Sequence, residues 1–290
     1  MQDGADLLKN FADVIDRHTR GKQPRFSNWI GKDLHGALDI LENANPEGLI
    51  NYVSSHFGLN AGKSVLDFGC GEAPHRGLLV GKGLAWTGID YADSMDPTAL
   101  ARAPDVEVIT YDGKTFPIAD NTFDSIWSYQ SLEHVFSPEE TFREFARVLK
   151  PGGVLFGSTS FLEAYHARST FCYTPYGFKL ICDRHGLTLD KLFPNIDGMS
   201  LVFRYLLIIL GADESKASDW HKLMKNGGAF FDLVRQRARE TGNQRLIAEA
   251  LAQFCGQFYF VASKPEQRQS HQSHWPTLTA LFAPTRRQRK

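Results

Sequence analysis

Short apolar runs alternate with helical stretches from residue 64 to residue 193, and this alternation restricts the chain to few architectures. The runs are SVLDF (64–68), AWTGID (85–90), VEVIT (106–110), FDSIWSY (123–129), GVLFGSTS (153–160) and LTLDKLF (187–193). Each suits a strand and is too short for a typical helix. Between the fourth and fifth, Ser137 can cap a helix, Pro138 fits its first turn and Glu140 completes a capping box. Phe142, Phe145, Ala146 and Leu149 form the buried stripe of that helix, and KPGG ends it. A further helix spans about 175–185 and stops at Gly186. The pattern predicts an α/β fold: a mostly parallel sheet covered by helices on both faces, with ligands beyond the carboxyl ends of its strands.

The flanks differ. Residues 5–19 place Leu8, Phe11, Ala12 and Ile15 on one helical face, and helices over 34–43 and 46–57 follow. Residues 1–60 therefore read as a helical extension or lid, with Phe26 and Trp29 as lid residues beside Arg25 and Lys32. The core runs from 61 to 194, and a helical insert (195–256) overhangs the acceptor side. QFYFVAS (257–263) supplies the last core strand, and 265–290 reads as a flexible tail. The insert's SLVFRYLLIIL (200–210) is apolar all round, which predicts burial on two faces; a homodimer contact or the wall of an apolar acceptor site are the other readings.

A formal net charge of −1 gives no global field to recruit nucleic acid. Four cysteines without CxxC spacing argue against a metal site or a disulfide framework. The N-terminus lacks a signal-peptide pattern, and the longest apolar run is too short to insert stably in a membrane, so a cytoplasmic location is expected.

VLDFGCGEAPHR (65–76) carries the ligand argument. A glycine turn after a strand fits a dinucleotide pyrophosphate, yet the third glycine is missing and Asp67 and Glu72 have the wrong sign. Like unit charges 4 Å apart repel by about 4 kcal/mol at an effective dielectric near 20. S-adenosylmethionine (SAM) reverses that sign, because it carries an ammonium and a sulfonium. Gly69 and Gly71 then allow close approach to the backbone, and Cys70 contributes its amide, whereas Glu72 reads as a loop charge. Asp90 ends the second run and suits ribose hydroxyls, with Tyr91 packing on the ribose or adenine. Asp112 can accept from an adenine amino group while the Gly113 amide donates to the ring. Strand-end acids also cap turns, which is the structural alternative for all three.

VLDFGCG, GID, DGKTFPIADNTFD and SLEHVFSPEETFREFARVLKPGGVL, in this order, resemble the class I SAM-dependent methyltransferases of the methyltransferase type 11 kind. The resemblance covers about 60–160 and extends more loosely to 194. It implies a Rossmann-like seven-stranded sheet with an antiparallel last strand, and a methionine region lined by Ser128 and Tyr129. Ala73 stands where many relatives have glycine, and Pro74-His75 depart from the pattern. FLEAYHARSTFCYTPYGF (161–178) partly resembles methyltransferases that modify sugars and surface polysaccharides, with Cys172 and Ala164 replacing the usual arginine and proline.

Methyl transfer needs alignment, exclusion of water and, for many acceptors, a base. His166 and His134 are the candidates; ordering of a loop is the alternative for His134, and a buried backbone contact for His166. Tyr165, Tyr173 and Thr174 offer rim hydrogen bonds to a small-molecule or glycan acceptor, with packing as their alternative role. The histidines and the absence of an NPPY-like string favour O-methylation over nucleic acid amino methylation. An NAD(P)-dependent oxidoreductase is the rival, though no Tyr-x-x-x-Lys pair supports it; a SAM-binding module without turnover is the other.

Overall fold

A computed structural model of the chain describes residues 4–20, 32–91, 108–163, 165, 167–211, 228–241 and 245–266. Among these, seven strands form one sheet: β1 (Ser64–Phe68), β2 (Ala85–Tyr91), β3 (Val108–Tyr111), β4 (Phe123–Tyr129), β5 (Leu149–Ser160), β6 (Thr188–Asp197) and β7 (Cys255–Ser263). Their order is β3-β2-β1-β4-β5-β7-β6. The pairs from β3 through β5 are parallel, and β7 runs antiparallel to both β5 and β6. Chain order reverses between β1 and β4, so the cleft at their carboxyl ends is the topological switch.

Alternation along the strands sorts two cores. Leu66, Phe68, Ile126 and Leu155 face one side, where Phe142 and Phe145 of α4 (Pro138–Val148) and Phe178 of α5 (Pro175–Arg184) complete a buried cluster. Val65, Trp127, Phe156 and Tyr259 face the other, against Leu49, Ile50 and Val53 of α2 (Pro46–Phe57) and Leu79 of α3 (Arg76–Gly81). The three α2 residues are fully buried, so the expected 1–60 extension is not a separate layer: α2 belongs to the core. Asn45 caps it and Pro46 opens it, as a helix start requires.

Four further corrections concern local structure. No helix forms over 34–43: a 3-10 turn at Lys32–Leu34 is followed by a parallel bridge from Leu38 to Leu192. Backbone bonds from Leu192 to Ala37 (2.8 Å) and from Asp39 to Leu192 (3.0 Å) cover the edge of β6, and sheet edges favour such pairing. Ser137 makes no side-chain cap, and Glu140 Oε2 is buried without a hydrogen bond, so no capping box forms on α4. β6 continues past 194 to Asp197. The insert helix α6 (Gly198–Ile209) buries Leu201 but leaves Val202 47%, Leu206 48% and Ile209 78% exposed, against the expected two-sided burial.

The remaining described helices are α1 (Gly4–Thr19), α7 (Ala229–Thr241) and α8 (Arg245–Ala252). Phe231, Ile247 and Leu251 tie α7 and α8 into the first core. Phe11 of α1 meets Phe230 of α7 edge-on at 6.1 Å, so α1 packs on the insert. Phe26 and Trp29, read as lid residues, and 267–290 of the expected tail lie outside the described residues.

Candidate functional site

The loop after β1 is shaped by three left-handed residues: Gly69 (φ 68°), Gly71 (φ 50°) and Ala73 (φ 55°). A side chain at Gly69 would meet Ser131 Oγ at 2.5 Å, so glycine is needed there for space as well as for conformation. The Gly69 amide donates to the Ile89 carbonyl at 2.9 Å, holding the loop against β2. Ala73 keeps the left-handed geometry at the position where the family resemblance points to glycine. Cys70 is buried, and its thiol is pushed up by burial and by the charges of Asp67 and Asp90, so it packs as a small apolar group.

Asp67 and Asp90 converge on this loop from neighbouring strands. Asp67 is buried and accepts from Trp86 Nε1 at 2.9 Å. Burial pushes its carboxyl up to about 6, opposed by the indole and reinforced by the charge of Asp90. Asp90, at the end of β2, accepts from the Gly71 amide through Oδ2 and the Tyr91 amide through Oδ1, both at 2.7 Å. It fixes the loop and stands at the cleft. Gly88 makes this packing possible, because a Cβ there would meet the Trp86 ring at 2.6 Å and Cys70 Sγ at 2.9 Å.

An aromatic corner lies beside the acids. A Cβ at Gly113 would lie 3.3 Å from Tyr91 Cε2, a tight contact, and the φ of 83° there favours glycine. Phe136, largely exposed, meets Tyr91 edge-on at 5.8 Å. Asp112 is exposed, and its Oδ1 accepts from the amides of Lys114 (2.9 Å) and Thr115 (2.8 Å), bonds that hold the carboxyl below its usual range. That oxygen is committed to the turn. Behind it, Arg147 bridges the carbonyls of Phe116 (3.0 Å) and Ile118 (2.6 Å) to Glu144, fastening the 112–120 loop to α4.

Beyond β4, Ser128 is fully buried with its hydroxyl unpaired by protein. Tyr129 hydrogen-bonds Tyr259 and stacks on Trp127. His75, half-buried on the glycine loop, lies 4.6 Å from the Tyr129 ring and 5.4 Å from Trp127, and burial lowers its pKa.

The acceptor-side expectations divide. His166 lies outside the described residues. His134 ends the 3-10 turn Leu132–His134 and is half-buried. Tyr165 is 78% exposed. Tyr173 is buried with its hydroxyl on the Leu132 carbonyl (3.3 Å), and Thr174 Oγ1 caps α5 through the Gly177 amide (2.9 Å). Tyr173 is thus engaged in packing and Thr174 in capping. Sequence reasoning gave no role to Glu133, Glu163 or Gln130, which form a polar network at the ends of β4 and β5. The one visible signal was a glutamate in the otherwise apolar-flanked LEHV, a string that points first to its histidine.

Comparison with known proteins agrees with this geometry. Residues 66–157 match the family model described as a methyltransferase domain. Residues 66–157 are a class I SAM-dependent methyltransferase domain. The ubiquinone biosynthesis O-methyltransferase of Sodalis glossinidius is 33% identical over 134 residues, 44% of this chain and 53% of that protein. The demethylmenaquinone methyltransferase of Renibacterium salmoninarum is 30% identical over 117 residues, 40% of this chain and 49% of that protein. The chain thus spans about half the length of the curated relatives it matches. Among solved structures, phosphoethanolamine N-methyltransferase 2 of Haemonchus contortus, in complex with SAM, aligns with a TM-score of 0.50 at 18% identity, over 88% of this chain and 60% of that one. The cyclase SpnF aligns with a TM-score of 0.50 at 20% identity, over 92% and 98%. At these identities the likeness is one of fold. The methyltransferase domain begins within β1 and ends within β5, which places both Asp67 and Asp90 inside it.

The residues present fit SAM. Glycines leave the loop backbone open, carboxylates of the right sign stand beside it, and the Ser128 hydroxyl is buried without a protein partner. Among the described residues, no group of three or more metal-ligating side chains forms, and no helix is long and apolar enough to cross a membrane.

Proposed function

We propose that the whole chain is a methyltransferase that uses SAM to methylate an oxygen of a small-molecule or sugar-containing acceptor. The observation that carries this reading is the pair Asp67 and Asp90 at the mouth of a glycine loop, where a cation is attracted and a pyrophosphate repelled. Asp90 accepts from the ribose hydroxyls, Tyr91 and Phe136 flank the adenine beside Gly113, and Asp67 lies at the ammonium end. SAM supplies an electrophilic methyl group; the chain binds it, aligns it and keeps water away. The O-methyltransferase relatives support oxygen as the target.

His166 is the proposed base, with His134 as second candidate and Tyr165 at the rim. The exposed apolar face of α6 is the surface that a second copy or an apolar acceptor would cover.

Calorimetry with SAM, its demethylated product and NADH tests the cofactor. Binding of the first two and not the third is expected, and tight NADH binding without SAM binding would favour the oxidoreductase. Labelled SAM with an acceptor panel then tests turnover: His166→Ala should lower it while leaving SAM affinity nearly intact. Full activity of that variant would remove the base assignment.

A further inference from the structure

The amino acid end of SAM carries a carboxylate as well as an ammonium, and Asp67 suits only the ammonium. The glycine loop has few donors left for the second charge. The amides of Gly69 and Cys70 donate to the Ile89 carbonyl (2.9 and 3.4 Å), that of Ala73 to the Cys70 carbonyl (2.7 Å) and that of Gly71 to Asp90. A carboxylate brought out of water needs a donor of its own. His75, two residues past Ala73 in a segment that departs from the family pattern, carries one.

The sheet beneath places its ring. The imidazole lies 4.6 Å from the Tyr129 ring and 5.4 Å from the Trp127 ring, both on β4. Trp127 is the register partner of Asp67 on β1, and such partners stand about 4.8 Å apart on one face of a sheet. His75 therefore stands over the strand next to Asp67. Its side chain makes no cap on α3, and among the described residues its ring nitrogens have no hydrogen-bond partner. Trp127 Nε1 is itself buried without a partner, so the imidazole is not engaged there either. Burial lowers the pKa of His75, so at neutral pH the ring is uncharged and keeps one N–H to donate.

We propose that His75 donates a hydrogen bond to the carboxylate of SAM while Asp67 takes the ammonium, so that neighbouring strands read the two charges of one amino acid group. This rests on the SAM reading above. A hydrogen bond to an ionised acceptor is stronger than one between neutral groups, and the Trp127 and Tyr129 rings keep water from one side of the imidazole. Two anchors on one carbon fix the orientation of the amino acid group and help to align the methyl with the acceptor. Arg76, the neighbouring cation, is the rival donor. Its guanidinium stands over β2, 5.6 Å from the centre of the Trp86 ring, and its charge is not among the causes that shift Asp67. His75 takes no proton in the step; that role belongs to the base proposed above.

Calorimetry of the full chain with SAM and with decarboxylated SAM tests the assignment, because the second ligand keeps the ammonium and the sulfonium and lacks the carboxylate. Wild type should bind SAM at least about tenfold more tightly than decarboxylated SAM. His75→Phe keeps a ring on Tyr129 and Trp127 and removes both nitrogens. It should weaken SAM about tenfold and leave decarboxylated SAM within about twofold, and His75→Gln, which keeps an N–H, should recover part of the loss. Equal losses for both ligands would mean that His75 shapes the loop, and unchanged SAM affinity would mean that it does nothing for the ligand. Either overturns the proposal, as would a carboxylate-specific loss in Arg76→Ala in place of His75→Phe. Nuclear magnetic resonance of 15N-histidine-labelled wild type needs no variant to fold: one imidazole should move with SAM and stay with decarboxylated SAM. Absence of such a signal among the 10 histidines would also overturn it. Failure of wild type to bind SAM would sink the methyltransferase reading and this proposal together, whereas SAM binding with an indifferent His75 sinks the proposal alone.

Discussion

The Asp67 carboxylate accepts a hydrogen bond from the Trp86 indole at 2.9 Å, in a position where water scarcely reaches it. One neutral donor does not replace the hydration of a buried anion, which is why its pKa rises to about 6 from 3.8. The folded state therefore holds a proton between these two values that the unfolded state has lost. Stability is unaffected below 3.8, falls as pH rises through the window, and carries the full penalty, about 3 kcal/mol, above 6. Asp67→Asn keeps an acceptor for Trp86 and removes the charge. It should stabilise the ligand-free protein at pH 7.5 by about 1–3 kcal/mol in urea unfolding, with no gain at low pH, and should weaken SAM binding. A variant less stable than wild type at pH 7.5 would show that this carboxylate is not held at a cost.

Asp90 joins the loop to the ligand. Its two oxygens hold the Gly71 and Tyr91 amides, so Asp90→Ala removes both the proposed ribose contact and the loop's anchor. SAM affinity should drop at least about tenfold, equivalent to about 1.4 kcal/mol. Asp90→Asn, which retains one acceptor, should lose less. Calorimetry showing unchanged affinity in both variants would remove the ribose assignment.

Fastening of the 112–120 loop predicts an effect from outside the cleft. Glu144 is buried yet its pKa is lowered: desolvation opposes this, and the Arg147 hydrogen bonds and the Phe116 amide outweigh it. Arg147→Ala leaves that carboxylate without its cation and frees two carbonyls. A loss of about 2–4 kcal/mol in unfolding free energy is expected, with weaker SAM binding through Gly113. Wild-type stability would mean that the loop is held elsewhere.

The sheet was legible because its signals are local. β1 and β4 follow from short runs rich in apolar and aromatic residues, and α2 from Pro46 near its start. The region 34–43 misled because Leu34, Ala37, Leu38 and Leu41 have helical spacing, whereas the unpaired edge of β6 captures the Ala37–Asp39 backbone instead. No local pattern encodes that tertiary demand. The α6 error has the opposite cause: apolar content does not state which neighbours are present to bury it. That Asp67 and Asp90 stand at strand ends beside the glycine loop was readable from the sequence. The polar network at the ends of β4 and β5 was not, because Gln130, Glu133, Glu163 and Gln257 are scattered in sequence and meet only when β4, β5 and β7 pair.

Ala73 offers a test of the loop that is independent of any ligand. Its φ of 55° is a conformation that an L side chain occupies at a cost of about 1–2 kcal/mol and that glycine adopts freely. Part of that gain is offset by the greater freedom of glycine in the unfolded chain. Ala73→Gly should therefore stabilise the protein by about 0.5–1 kcal/mol. Gly69→Ala should destabilise by clearly more, since a left-handed backbone and a 2.5 Å clash with Ser131 act together. Chemical denaturation of the two variants side by side decides the matter, and Ala73→Gly proving destabilising would show that residue 73 is not left-handed in solution.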